Sequence, residues 1–399
     1  MNKLSLKSKT IINFVMFLYI LSIYLFTFRQ GLNVISNVLA IGLIGTIWIN
    51  FLVNRRKFVL NYFFIAYLLF IILCLVSSFY AINQVAAIKK VVTLVQIYAL
   101  MFSLVNYIDS FEKLTTFMKC FVYSGFISSI YILLTSDFSQ VSRFGEELGN
   151  VNAIGMIIGI STVFCFYFIL EERKYLYIPI LLIDIVVILL TGSRKSLLFI
   201  LLTIIILLVS KEGNGIGGKF KAVLGSIIVV TLGLYLIYNV PLFYEIMGSR
   251  VENLLSFVFG NGTPEGSVNT RADMIEAGIN WFKDNPFIGY GIDNYRFLYG
   301  GLTGWTTYSH NNFIELLVGI GLIGFSLYYL SSVLVLGSLK KASKLKYKML
   351  SYSFAAIIIG YIVLSVGMVY YYDKHINILL AVGSAVYRIA KIDNKHLNA

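Results

Sequence analysis

Charged residues are scarce in this 399-residue chain, making up only 13% of it, and the mean hydropathy is +0.83. Soluble globular proteins carry roughly 25% charged residues, so this composition excludes that class. Hydrophobic residues make up 58% of the chain. Runs close to the roughly 20 residues that cross a bilayer recur from end to end. We therefore expect residues 1–399 to form a single all-α, polytopic membrane domain.

Cysteine, histidine and proline are also rare. The three cysteines, Cys74, Cys120 and Cys165, all lie within apolar runs, which favours core packing over a disulfide framework or a metal site. The chain has no phosphate-binding glycine loop followed by Lys-Ser/Thr, no HExxH and no paired-cysteine motif. His375 and His396 lie near its end without a ligand-like cluster. These absences predict a protein without a cofactor or a metal.

Twelve apolar segments are candidate transmembrane helices. They are residues 11–28, 32–53, 61–80, 88–106, 117–135, 151–170, 175–191, 196–210, 222–240, 313–337, 349–369 and 375–390. With the N-terminus in the cytoplasm, 21 of the 32 basic residues fall on the cytoplasmic side, as the positive-inside rule favours. Both termini are then cytoplasmic. The first segment stays as a membrane helix because no small-x-small cleavage site follows it. The net charge of +13 is thus explained by the orientation of the chain in the membrane and by contact with membrane lipids. It does not predict a nucleic-acid partner.

Residues 241–310, between the ninth and tenth segments, form one long loop that is predicted to face outward. It holds three of the four prolines, and its aromatic residues argue against disorder. Thr270 and Asp273 form a capping-box pattern, which predicts a helix whose first residue is Arg271. Apolar residues follow at helical spacing until an Asn-Pro pair ends the pattern. We expect this amphipathic helix to lie on the outer membrane face.

Two cations stand against the charge bias in the hairpin TGSRKS, residues 191–196, which is predicted to face outward. Arg194 and Lys195 either extend into lipid headgroups or line an anion site that faces a cavity. Arg271, at a helix N-terminus, also suits an anion, because free backbone N–H groups and the guanidinium would both point at it. The alternative for Arg271 is a pairing with Asp273 or with a lipid phosphate.

His310 stands at the lip of a membrane segment, followed by Asn311 and Asn312. Glu315 lies further in, on the helix face that Asn311 occupies. A lone histidine is often only structural. At a membrane lip with polar neighbours it is a better catalytic candidate, because an unperturbed pKa near 6.5 lets it carry protons at neutral pH.

Four motifs resemble those of the O-antigen ligase and polymerase family, enzymes of bacterial surface-polysaccharide assembly. They are GNVNAIG at 149–155, TGSRKSLL at 191–198, NPFIGYGIDNY at 285–295 and SHNNFIELLVGIGLIG at 309–324. The resemblance covers residues 149–337, and the rest of the chain matches in topology only. It implies a GT-C-like, metal-independent glycosyltransferase. The donor would be a glycan carried on undecaprenyl diphosphate, and the site would face outward.

The resemblance also implies which residues do the chemistry. Arg194 and Arg271 would bind the diphosphate and stabilise the charge that develops on it. His310 would act as the base on the acceptor hydroxyl. Arg250 and Arg296 share the long loop with Arg271 and compete for its role. The residues expected to contact substrate are Asn152, Lys195, Arg250, Arg296, Asn311 and Asn312.

We expect a polymerase that joins lipid-linked repeat units into capsular polysaccharide, exopolysaccharide or O-antigen. Chain-length regulator and flippase proteins would be its partners. A bias toward Ile, Lys, Asn and Tyr suggests an AT-rich, Gram-positive genome, without a lipid A core as acceptor.

One alternative is a ligase that transfers the glycan to a different acceptor. Others are a non-catalytic scaffold and a transporter in which Asp184 belongs to a proton relay. Transporters usually show two related halves, whereas the long loop here is single.

Overall fold

A computed structural model describes residues 3–397 apart from 56, 139–142, 212–215, 249, 253–255 and 257–265. The described residues form helices and turns and no strand, which confirms the all-α class. The helices are α1 (Lys3–Phe26), α2 (Asn33–Val53), α3 (Tyr62–Ser77), α4 (Gln84–Tyr107), α5 (Phe111–Thr135), α6 (Val151–Leu170), α7 (Ile178–Leu190), α8 (Arg194–Lys211), α9 (Ile216–Asn239), α10 (Gly266–Asp284), α11 (Tyr295–Thr303), α12 (Asn312–Ser343), α13 (Lys348–Val363) and α14 (Lys374–Leu397).

Eight of these helices are long and apolar enough to cross a membrane, namely α1, α2, α4, α5, α6, α12, α13 and α14. The chain is therefore a multi-pass membrane protein. A ninth span would combine the end of α9 with the segment Pro241–Gly248, which meets it at 96°. Each of the twelve predicted segments overlaps a helix. The count of twelve spans is not confirmed, because α3 and α7 are short and α8 carries cations at both ends.

Short polar side chains define where several helices begin. An asparagine or serine side chain accepts a backbone N–H from the first turn, which satisfies one of the donors that a helix N-terminus leaves open. The residues that do so are Asn61, Asn83, Ser110, Asn150 and Asn311. These caps start α3, α4, α5, α6 and α12.

Buried polar groups inside the bundle are paired with one another. Asp184 of α7 is fully buried and accepts hydrogen bonds from Ser129 of α5 and Ser161 of α6, each 2.7 Å long. These bonds tie three helices together and favour the packing interpretation of Asp184 over the proton relay. The three cysteines are free and buried, as predicted.

The helix α12 is broken one-third of the way along, at Gly321, where φ is +62° and ψ is −171°. A residue with a side chain adopts such a positive φ only at a cost. The break releases two carbonyl groups from the helical pattern. The Val318 carbonyl accepts the N–H of Tyr290, and the Gly319 carbonyl accepts the N–H of Gly291, both at 2.8 Å.

The same loop segment also accepts a backbone hydrogen bond from the part of α12 that follows the break. The N–H of Leu322 donates to the Pro286 carbonyl at 2.8 Å. The loop backbone passes so close that a Cβ at position 321 would lie 2.2 Å from the carbonyl carbon of Phe287. The motifs at 285–295 and 309–324 therefore form one structural unit.

The helix α10 corrects two expectations. It begins at Gly266, so Arg271 lies in its second turn and not at an N-terminus with open N–H groups. Ser267 and Asn269 are also acceptable at a helix start, which is why the capping pattern at Thr270 misplaced the boundary. The helix ends at Asp284, as predicted.

The apolar face of α10 is covered by protein, which differs from the predicted position on the membrane surface. Met274 is buried with Tyr295 and Tyr299 of α11 and with Ile314 and Val318 of α12. The amphipathic pattern is the same for either partner, so the sequence could not choose between lipid and protein. This packing holds α10 against the start of α12.

Gly321→Ala should destabilise the protein, because the substitution adds both a positive-φ penalty and a backbone clash, together about 1–3 kcal/mol or more. The measurement is unfolding of the detergent-solubilised protein. The control is Gly337→Ala in the same helix, where a Cβ meets nothing within 4 Å and φ is not positive. Equal stability of the two variants would contradict this account of the break.

Candidate active site

A cavity of about 690 Å³ lies where the starts of several helices meet. Polar residues from five separate parts of the chain form one wall. The residues of that wall include Asn150, Asn152, Lys195, Arg271, Tyr308, His310, Tyr372 and Asp373. The helices α2 and α4 contribute mainly apolar residues, together with Asn33, Asn37, Thr93 and Gln96. The apolar ones include Ala40, Ile41, Ile44, Val95, Ile97, Ala99 and Leu100. The cavity therefore suits a ligand with a charged head and an apolar chain.

His310 lies on a backbone turn that its neighbours hold in place. Its φ is +54°, in the left-handed region that few non-glycine residues adopt. On one side, the N–H of Ser309 donates to the buried carboxylate of Glu315 at 2.9 Å, and the Ser309 hydroxyl donates to the Asn311 carbonyl at 2.7 Å. The ring of Tyr308 lies 4.3 Å from the imidazole, between centroids.

The electrostatic surroundings keep His310 neutral. Burial, together with the nearby cations Arg271 and Lys195, lowers the pKa of His310 to about 4. No described residue is hydrogen bonded to its ring nitrogens, so the nitrogen without a hydrogen can accept a proton from a ligand in the cavity. A neutral imidazole beside two cations is suited to act as a base near an anion.

The two asparagines that follow His310 hold the backbone. Asn311 caps α12 by accepting two backbone N–H groups, at 2.9 and 3.2 Å. Asn312 is fully buried, donates to the Tyr329 hydroxyl at 3.0 Å and accepts the N–H groups of Tyr370 and Tyr371. Neither asparagine is among the residues that line the cavity. Their hydrogen bonds position the turn at His310, and their contact with substrate stays a prediction.

The two cations of the hairpin, at the start of α8, point in different directions. Gly192 makes the turn with φ +59°, against Ile246. Lys195 lines the cavity and donates to the Gly367 carbonyl. Arg194 donates to the Arg250 carbonyl at 3.4 Å and does not line the cavity. The structure thus brings Lys195, rather than Arg194, to the wall that His310 shares.

The three arginines expected to compete in the long loop are separated by the structure. Arg271 lines the cavity and makes no hydrogen bond or ion pair with another described residue. Arg296 is paired with Asp293 at 2.6 Å and lies away from the cavity wall. Arg250 lies beside Arg194. Arg271 is therefore the loop arginine whose charge is presented to a ligand.

Asp373 lines the cavity but was not identified from the sequence. It lies in the short connection before α14. Burial raises its pKa to about 7, although Lys90 opposes the shift. The only signal was one acidic residue between two apolar segments, which resembles an ordinary turn. Among the described residues, no group of three or more His, Cys, Asp or Glu side chains is placed to hold a metal ion.

Glu315→Ala should leave the Ser309 N–H buried without its acceptor, which costs about 1–3 kcal/mol of stability. Glu315→Gln keeps an acceptor oxygen in place and should cost less. The measurement is the free energy of unfolding of each variant in mixed micelles. If the alanine variant proves as stable as the glutamine variant, the carboxylate does not hold the His310 turn.

The region that carries most of these features matches a known family. Residues 179–329 match the family model described as O-antigen ligase. The matched residues include the α8 hairpin, α10 and His310, whereas Asn152 and Asp373 lie outside them. The sequence matches no curated protein. The family match over residues 179–329, the membrane-spanning helical fold and the four motifs together support an assignment to the O-antigen ligase and polymerase family.

Proposed function

We propose that the protein is a glycosyltransferase that polymerises undecaprenyl-diphosphate-linked oligosaccharide units at the outer face of the cytoplasmic membrane. The cavity is the observation that carries this proposal. His310, Arg271 and Lys195 lie on its polar wall, and the lining from α2 and α4 is mainly apolar. A polyprenyl diphosphate has the same division, with a charged head and a long apolar chain. The family match supports a surface-polysaccharide role.

The cations would bind the diphosphate of the donor. Arg271, which is not paired with any described residue, presents a guanidinium that can hold phosphate oxygens in a bidentate geometry. Lys195 adds a charge on the same wall. Arg194 and Arg250 add positive potential from beside the hairpin. Because the diphosphate leaves with an additional negative charge, cations that are already in place stabilise the transition state.

His310 would activate the acceptor sugar. Its neutral imidazole removes the proton from an acceptor hydroxyl as that oxygen forms a bond to the donor's anomeric carbon. The bond from that carbon to the diphosphate oxygen breaks, and the electron pair leaves with the diphosphate. The protonated imidazole is then stabilised by the negative product beside it. This scheme requires no metal.

A ligase is the second candidate, favoured by the description of the matched family model. The donor, the cations and the base would be the same, and only the acceptor would differ. A polymerase uses another lipid-linked unit as acceptor and extends its product repeatedly, whereas a ligase makes a single transfer to a different molecule. The product distribution therefore separates the two activities.

The purified protein in lipid, given undecaprenyl-diphosphate oligosaccharide in the presence of EDTA, should produce a ladder of products on a gel. His310→Ala should reduce the rate by about hundredfold or more, because it removes the general base. A single transfer that needs an added acceptor would favour the ligase. An active His310→Ala enzyme would contradict the role of His310, and dependence on an added metal would contradict the metal-independent scheme.

Arg271 and Arg296 offer a matched pair for the same assay. Arg271→Ala should reduce kcat/KM strongly, because removing one stabilising donor from such a site costs about hundredfold. Arg296→Ala, in the same loop but paired with Asp293, should retain activity. Comparable losses in both variants would show that the loop arginines act through folding rather than through the anion.

The pH dependence of kcat/KM and kcat should distinguish the titration of His310 from that of Asp373. His310 has a lowered pKa, so its neutral form persists as pH falls, and its effect on kcat/KM should appear only near pH 4. Donor binding adds negative charge beside the ring and favours imidazolium, so the corresponding limb of kcat should lie at higher pH. A limb near pH 7 that disappears in Asp373→Asn belongs to Asp373. A kcat/KM limb near pH 6.5 that persists in Asp373→Asn would contradict the shielded, neutral His310.

A further inference from the structure

Arg143 contacts both the hairpin and the cavity wall, although it lies outside the family-matched residues 179–329. It stands in the connection between α5 and α6. Its Nε donates to the Thr191 carbonyl at 2.8 Å, and its Nη2 donates to the Asn152 side-chain oxygen at 2.9 Å. One guanidinium therefore bridges two elements that are distant in sequence.

Both partners of this bridge belong to the proposed substrate site. Thr191 immediately precedes the turn at Gly192 that carries the hairpin cations, and Asn152 lines the cavity. The main chain at Asn152 also accepts the Ser196 hydroxyl, at 3.5 Å. A planar guanidinium donates in two fixed directions. The bridge therefore sets how the start of α8 is placed against α6.

A purely structural link between Thr191 and Asn152 would not need the positive charge of Arg143. Burial and the neighbouring Arg250 and Arg194 lower its pKa, and Glu146 opposes them only in part. Concentrating like charges costs stability, and a neutral amide could donate hydrogen bonds without that cost. An anion bound in the adjacent cavity, beside Lys195 and Arg271, would offset part of this concentrated positive charge.

We infer that Arg143 is a positioning residue for the anionic ligand of this site. By tying the Thr191 carbonyl to Asn152, it holds the hairpin so that Lys195 reaches the cavity and Arg194 remains beside Arg250. The identity of the anion as a polyprenyl diphosphate rests on the proposed function. The placement of the hairpin by Arg143 does not.

The first test measures hairpin placement without any ligand. The full-length protein in nanodiscs is labelled with an amine-reactive reagent, and the rate at Lys195 is followed by mass spectrometry. Arg143→Ala should change that rate severalfold. Arg29→Ala is the matched control. Arg29 also donates two hydrogen bonds near the α5–α6 connection, to the Glu147 carbonyl and the Tyr131 hydroxyl, but neither bond reaches the hairpin. An unchanged Lys195 rate in Arg143→Ala would overturn the inference.

The second test measures binding of farnesyl diphosphate, a short polyprenyl diphosphate, by calorimetry. Arg143→Ala should weaken binding by about tenfold or more, since hydrogen bonds to charged groups contribute on that scale. Arg143→Lys should remain as weak, because one ammonium cannot donate in the two fixed directions. Arg29→Ala should bind like the wild type. Full restoration by lysine would show that only the charge matters and would overturn a positioning role.

A double substitution distinguishes positioning from general destabilisation. If Arg143 acts through the hairpin cations, Arg143→Ala should add less than about a twofold loss when Lys195→Gln and Arg194→Gln are already present. An undiminished loss in that background would overturn the inference. Failure of the wild type to bind farnesyl diphosphate would count against the proposed function, while the labelling result would still decide the role of Arg143.

Discussion

The exchange of backbone hydrogen bonds between the broken helix α12 and the loop segment at Pro286 holds the site together. A broken turn in a membrane helix leaves peptide groups that water cannot reach, and each costs several kcal/mol if unsatisfied. Here Tyr290 and Gly291 supply the missing donors, and the Pro286 carbonyl supplies an acceptor. The loop cannot leave the helix without exposing these groups.

That fixed contact explains how a long loop can build a defined cavity. α10 ends immediately before the exchange segment and packs against α11 and the start of α12. Arg271 is thereby held on a rigid helix, while His310 is held by the cap of α12. Two residues 39 positions apart in the chain thus come to the same wall through one stretch of backbone pairing. Such preorganisation matters for catalysis by charge, because the cations need not move when the leaving group forms.

The membrane class could be predicted from the sequence, since it depends on composition and hydropathy, whereas the residues of the shared site were indicated by the family resemblance. His310, Lys195 and Arg271 do line one cavity. The start of α10 could not be predicted, because several short polar residues fit a helix start equally well. The hydrogen bonds by which Asn311 and Asn312 hold the backbone were not predicted. Polar residues at a membrane lip have the same pattern whether they bind substrate or hold the backbone.

Asp373 and Arg143 show a different limit of sequence reasoning. Each is a single charged residue in a short connection, without a motif around it, and its significance comes only from what the fold places beside it. Asp373 lies against the same cavity as His310, and Arg143 lies against the hairpin. No local pattern records a contact between residues 48 positions apart, as between Arg143 and Thr191.

Helix geometry explains why the adjacent side chains of Arg194 and Lys195 point in different directions. Successive residues on an α-helix point about 100° apart, so two neighbours at its first turn point in different directions. The cavity receives Lys195, and Arg194 is turned toward Arg250. Arginine at the outer position can hold a carbonyl and an anion at once through its several donors, whereas lysine offers one compact charge at the cavity wall. The order of the two residues therefore decides which charge lines the cavity. Exchanging them would place a larger, planar guanidinium where the cavity now holds an ammonium group.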